Sequence, residues 1–337
     1  MANKISSSNS EHNIKKNVWN NRSVLVTGGA GFIGSWLSWA LFKSGAHVVI
    51  LDKKKSFSLS GKPWEALKAG VTYISGDIRE SQLLLRLFRK YKPQTVFHLA
   101  AEAIVGRAYK NPAKALDTNV RGTWTVLEVC RKTSPEVVVV MASSDKAYGS
   151  HAKLPYREDF PLLGENPYDC SKSVADRVAQ MYAKSFGVRL AVTRCGNVYG
   201  GGDLNFSRLV PETIRAIFLK RNPKIRSDGL YRRDYVHVSD IVGAYVRTAE
   251  ALIKNEIQPG DAFNFGTNTP RTALEVIKKL IELTGSKKSP IILATARYEI
   301  RDQYLDSTKA RKILGWTPVV QFEDGLRSTI NWYSKYF

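Results

Sequence analysis

Short apolar runs alternate with longer amphipathic stretches through the N-terminal part of the chain. Ser23-Val24-Leu25-Val26, residues 46–51, Val71-Thr72-Tyr73-Ile74 and Thr95-Val96-Phe97-His98-Leu99 are brief, apolar and rich in β-branched residues. Each predicts a buried strand. Residues 35–43 predict a helix, and residues 81–91 set Leu83, Leu84, Leu87 and Phe88 at helical spacing. Further along, 137–141 and 189–194 predict strands, and 119–132 and 171–186 predict helices. This alternation implies an α/β fold: a doubly wound parallel sheet with helices on both faces, of the Rossmann type. Beyond about Asn197 the alternation breaks up, and short strands mix with helices such as 271–284. A smaller C-terminal α/β lobe is expected there, closing over the sheet edge where such folds bind ligands. Residues 22–196 then form the dinucleotide-binding domain. Residues 197–337 form mainly a substrate-binding lobe, with some segments returning to the first domain. Residues 1–21 are polar and rich in Ser, Asn and Lys, without the apolar centre of a secretion signal, and predict a mobile tail.

The first candidate site is Thr27-Gly28-Gly29-Ala30-Gly31-Phe32-Ile33-Gly34, directly after a strand and opening a helix. Glycines there permit a tight turn, close approach of a pyrophosphate and close packing of helix on strand, while the helix N-terminus offers unpaired N–H groups to phosphate. Gly28, Gly31, Phe32, Ile33 and Gly34 are therefore candidate cofactor contacts. Asp52, at the end of the second strand, can accept hydrogen bonds from a ribose and would repel a 2′-phosphate, which favours NAD. Lys53 and Lys54 adjoin it and could offset that repulsion, so NADP stays open. Asp77 and Ile78 after the third strand could border the adenine, or Asp77 could be an ordinary loop residue.

The second candidate site combines Ser144-Asp145-Lys146 with Tyr168-Asp169-Cys170-Ser171-Lys172. Tyr168 and Lys172 suit hydride transfer at an alcohol carbon. Asp145 and Lys146 add an acid and a possible base, which a plain alcohol oxidation would not need. The extra pair points to elimination of water after oxidation.

Composition narrows the setting. The formal charge of +21 raises nucleic-acid binding, but the positive residues are spread along the chain and no nucleic-acid motif accompanies them. A solvated basic surface is the expectation, one from which an anionic small substrate would gain. No apolar run approaches the roughly 18 residues of a membrane span. Cys130, Cys170 and Cys195 show neither metal spacing nor a disulfide framework, so no metal is expected and a reducing cytoplasm fits.

With Leu99-Ala100-Ala101, Thr118-Asn119-Val120 and Arg194-x-Gly196-Asn197 added to the glycine loop and Tyr168-x-x-x-Lys172, the chain resembles the extended short-chain dehydrogenase/reductases acting on nucleotide sugars. The resemblance covers about residues 20–337. Ser144-Asp145-Lys146-Ala147-Tyr148, Gly196-Asn197-Val198-Tyr199-Gly200-Gly201-Gly202-Asp203 with Arg208-Leu209-Val210-Pro211, and Asp306-Ser307-Thr308-Lys309-Ala310-Arg311 look most like the CDP-glucose 4,6-dehydratases. Two segments depart from them. Gly28 to Gly34 and Arg232-Arg233-Asp234-Tyr235-Val236-His237-Val238 both follow the general nucleotide-sugar form, which leaves the base open.

The resemblance implies NAD bound also by Leu99, Ala100, Ala101 and Asn119. It implies a nucleotide-diphosphate sugar held by Asn197, Arg208, Arg233 and Arg301, the alternatives being a loop cap for Asn197 and an ion pair with Asp234 for Arg233. Lys172 would lower the pKa of Tyr168, which takes the proton from the C4 hydroxyl, and Ser144 would orient that oxygen. Asp145 would act as the acid, with Lys146 at the base position, in eliminating water across C5 and C6. Hydride returned to C6 leaves a 4-keto-6-deoxy sugar nucleotide. A 4-epimerase or reductase, with Asp145 and Lys146 a mere ion pair, is the alternative, and a non-catalytic dinucleotide sensor is a third. A homodimer pairing helices 119–132 and 171–186 is the implied assembly, with a monomer as the alternative.

Overall fold

A computed structural model describes residues 16–55, 62–296 and 299–337. Seven parallel strands form the central sheet, labelled in chain order: β1 (Ser23–Thr27), β2 (His47–Asp52), β3 (Thr72–Ser75), β4 (Thr95–His98), β5 (Val138–Ala142), β6 (Leu190–Cys195) and β7 (Ala262–Phe265). Their spatial order is 7-6-5-4-1-2-3, so the chain reverses direction across the sheet between β1 and β4. At such a switch point the loops diverge and leave a crevice for a ligand.

Side-chain alternation explains why the strands are buried on both faces. Val24 and Val26, Val48 and Ile50, and Val138 and Val140 enter one apolar core. Their neighbours Leu25, Val49, Leu51, Val139 and Met141 enter the other. The first core is closed by the helices Phe32–Lys43 and Val238–Ile253, the second by Ser81–Tyr91, Gly122–Thr133 and Pro167–Phe186. The predicted doubly wound sheet is therefore the one the chain forms.

Some boundaries differ from the sequence expectation. The helix expected from Ser35 begins at Phe32, and the one expected from Ser171 begins at Pro167, because proline at the first helical turn sacrifices no hydrogen bond. Residues 16–21 are not a tail. Lys16–Trp19 is helical and Trp19 is fully buried, its indole donating to Glu250 at 2.9 Å. Composition hid this single anchoring side chain. The remainder of the expected tail lies outside the described residues.

The C-terminal lobe consists of short pieces. Asn197–Tyr199 pairs with Tyr235–His237, and Arg232–Arg233 pairs with both Arg271–Thr272 and Asp302–Gln303. The helix Val238–Ile253 and strand β7 return to the main sheet. None of the described helices is long and apolar enough to cross a membrane.

Candidate active site

The glycine loop owes its shape to backbone geometry. Gly28 has φ +72°, and a Cβ there would lie 2.7 Å from Ala100 N. A Cβ on Gly34 would lie 2.2 Å from Gly28 O. Among the described residues no side chain caps the following helix, which leaves its first N–H groups open to a ligand, and Phe32, Ile33 and Gly34 line the cleft. Asp52 steadies the loop by accepting Ala30 N–H at 3.0 Å and Lys54 N–H at 3.0 Å.

Above the strand ends lies a cleft of about 1200 Å³. Gly28, Gly31, Phe32, Ile33, Gly34, Asp52, Asp77, Ile78, Leu99, Ala100 and Ala101 all line it. Asp77 is held well below the usual carboxylate range by Arg79, against the opposing effect of burial, with Lys53 at 3.1 Å assisting. Asn119 departs from expectation, since it is not on the cleft wall. It sits where the helix widens into a π-turn (Asp117–Arg121) and faces inward, 2% exposed. There it accepts Glu102 N–H at 2.7 Å and donates to Glu102 O at 3.2 Å and Ser171 Oγ at 2.8 Å. It therefore ties the loop after β4 to the helix bearing Tyr168 and Lys172.

That helix is anchored from beneath. Arg194 of β6 and Asp176 of the helix form a buried two-pronged ion pair at 2.9 and 3.0 Å, and Arg194 also donates to Tyr148 Oη at 2.8 Å. Tyr168 and Lys172, one turn apart, thereby share a face toward the cleft. Burial pulls Lys172 down to about 8, and its Nζ donates to Ala142 O at 2.8 Å. Burial also pushes the Tyr168 phenol above its usual range; Arg208 and a hydrogen bond with Ser144 oppose that shift, while Asp145 and Asp169 add to it. Contrary to the lowered phenol expected from the sequence, burial raises it, and Lys172 Nζ is turned to the carbonyl of Ala142.

Ser144 caps the short 3-10 turn Asp145–Tyr148, accepting Lys146 N–H at 3.2 Å and donating to Asp145 Oδ1 at 3.0 Å. Asp145 is 2% exposed, and its Oδ2 has no hydrogen-bond partner among the described residues. Lys146 lies part-buried in the cleft wall with Nζ on Gln303 Oε1. Its ammonium is disfavoured first by lost hydration and then by Arg233; Asp145, Asp169 and Glu299 act the other way, and the net shift is downward. The sequence left open whether Lys146 could be neutral, and this environment shifts it in that direction.

On the lobe side, Asn197, Arg208 and Arg233 line the cleft. Arg208 pairs with Asp203 at 2.8 Å. Arg233, 8% exposed, is fixed by the carbonyls of Arg232, Ile300 and Arg301 at 2.5–2.8 Å. Arg301 is not on the cleft wall: its guanidinium reaches Asp228 at 3.3 Å on the exposed side. The chain presents its carbonyl to Arg233 instead, which turns the side chain outward. Asp169 and Gln303 escaped the sequence reading. Asp169 is buried in the cleft wall, and its place one residue after Tyr168 could have flagged it. Gln303 comes from a two-residue strand with no periodic signal.

Known proteins place this geometry in context. A CDP-glucose 4,6-dehydratase of Salmonella typhimurium is 32% identical over 96% of this chain and 93% of its own length. A crystal structure of dTDP-glucose 4,6-dehydratase from Bacillus anthracis in complex with NAD matches with a TM-score of 0.82 at 30% identity, covering 93% of this chain and 97% of that one. UDP-glucose 4-epimerase from Thermotoga maritima, solved with UDP-glucose, has a TM-score of 0.85 at 31% identity, over 93% and 99% of the two chains. The family described as GDP-mannose 4,6 dehydratase matches residues 25–329, and the chain belongs to it.

Proposed function

We propose that this protein is a nucleotide-sugar 4,6-dehydratase that uses NAD. One observation carries the reading: Asp145 and Lys146 lie in the same cleft wall as Ser144, Tyr168 and Lys172, with Lys146 poised toward its neutral form. An epimerase has no use for that acid and base.

The cofactor cradle fits NAD, because glycine at 28 and 34 lets the loop and the helix close tightly on their neighbours and Asp52 waits at the end of β2. The lysines that could have welcomed a 2′-phosphate are otherwise engaged: Lys53 with Asp77, and Lys54 with Ala30 O at 3.3 Å. Bound there, NAD supplies the acceptor and donor of hydride. Tyr168 takes the proton of the C4 hydroxyl in its phenolate form, which Arg208 and the Ser144 hydrogen bond favour against burial, and Ser144 orients the oxygen. The C4 ketone makes the C5 proton acidic. Lys146 removes that proton, the C5–H pair becomes the C5–C6 double bond, and the C6–O bond breaks as Asp145 protonates the departing hydroxyl to water. Arg233 and Arg208 hold the diphosphate, and Asn197 contacts the diphosphate or the sugar.

A homodimer is supported by Leu116, Trp124, Val174 and Met181, which are 38–44% exposed on the helices flanking the Tyr168 face. Three free cysteines support a reducing, cytoplasmic setting.

The test is incubation of the NAD-loaded protein with CDP-, dTDP-, GDP- and UDP-hexoses. A 4-keto-6-deoxy product with one of them is expected. C4-inverted sugars alone would make the protein an epimerase, and cofactor binding without turnover of any would make it a sensor.

A further inference from the structure

We propose that Gln303 is a positioning residue for Lys146: its side-chain oxygen takes one N–H of the amine and so leaves the lone pair free to face the cleft. The inference rests on the dehydratase reading above. Lys146 Nζ donates to Gln303 Oε1, a contact between residues 157 apart in the chain. Gln303 is fully buried, and its strand Asp302–Gln303 runs parallel to Arg232–Arg233 with Gln303 opposite Arg233. Residues paired in register share one side of a sheet. One short ladder thus brings two groups to the same amine, a fixed positive charge and a neutral acceptor.

The neutrality of that acceptor matters. Three carboxylates already act on Lys146 through their charge: Asp145 beside it, Asp169 from the helix Pro167–Phe186, and Glu299 from the segment preceding Gln303. Arg233 is the positive charge opposing them. A fourth carboxylate at position 303 would hold Lys146 as an ammonium, which cannot accept a proton. An amide fixes the nitrogen without adding that charge. Because Gln303 belongs to the lobe and Lys146 to the sheet, the base is oriented only when the two parts are docked.

The experiment uses the full-length NAD-loaded protein and a nucleotide hexose that the wild type dehydrates. Solvent deuterium entering C5 is followed against pH for wild type, Gln303→Glu and Gln303→Met. With Gln303→Glu the acidic limb of the elimination rate moves up by about one to three pH units, and raising the pH restores the rate. With Gln303→Met the limb stays where it is in wild type, and elimination slows on the order of ten- to a hundredfold with KM unchanged. An unmoved limb in Gln303→Glu, or undiminished elimination in Gln303→Met, overturns the proposal. Should Gln303→Glu fail to fold, the Gln303→Met rate and KM decide. A wild type that forms no 4-keto-6-deoxy sugar sinks the dehydratase reading itself, which separates the two failures.

Discussion

In the main sheet, strands of four to six residues are held by continuous backbone ladders, and the cofactor cradle is shaped mainly by backbone, with Asp52 steadying it. In the C-terminal lobe no described strand exceeds three residues. Side chains do the joining there. Buried Asp234 accepts Thr267 N–H at 2.7 Å and Leu305 N–H at 3.3 Å, Ser307 Oγ accepts Gly266 N–H at 2.8 Å, and Arg233 gathers three carbonyls. The difference teaches where function is held rigidly and where it is assembled. The redox pair sits on the rigid part, whereas the groups that orient and tune the base come from the lobe.

The sharpest way to break the rigid half is Asp176→Asn. Leaving Arg194 buried with a neutral partner costs about 3–5 kcal/mol. Urea unfolding should show that loss, accompanied by loss of activity as the helix of Tyr168 and Lys172 loosens. Gly28→Ala comes next. A positive φ and a backbone contact at 2.7 Å together cost about 2–4 kcal/mol. Calorimetry should find NAD binding weakened by at least about tenfold.

A pH test probes the same half. His98 is buried between Thr27 and Thr123, and burial lowers its pKa to about 3, below the usual 6.5. The unfolded chain therefore binds this proton more readily. The stabilising contribution is complete above pH 6.5 and falls away as pH drops toward 3. By pH 5 about 2 kcal/mol of it has been lost. The stability of His98→Asn should fall by that much less than wild type between pH 7 and 5, as followed by unfolding at each pH.

The smallest effect is expected in the lobe. Arg301→Ala removes an exposed ion pair worth about 0–1 kcal/mol. KM for the nucleotide sugar should change less than about threefold, well below the change for the buried Arg233→Met. Equal effects would bring Arg301 back into the binding site.

The sheet was largely legible in the sequence because its pattern is periodic: alternate strand residues enter opposite cores, and the glycine loop must follow a strand. Asp145, Lys146, Tyr168 and Lys172 were legible because they lie close together in the chain. Three things were not. Trp19 joins the core through one side chain inside a polar segment. Asn119 turns inward on a π-turn that no spacing rule anticipates. Arg301 and Gln303 are two residues apart in the lobe, yet one turns outward and the other becomes part of the base's surroundings. Their orientation depends on a two-residue ladder, too short to leave a pattern.

The central claim is that Lys146 turns an oxidation into a dehydration. The direct measurement is Lys146→Ala in deuterated water, with NAD and a nucleotide hexose that the wild type converts. NAD binding and C4 oxidation should persist, while loss of water and deuterium entry at C5 fall by about 10²- to 10⁴-fold. Dehydration at the wild-type rate would contradict the account.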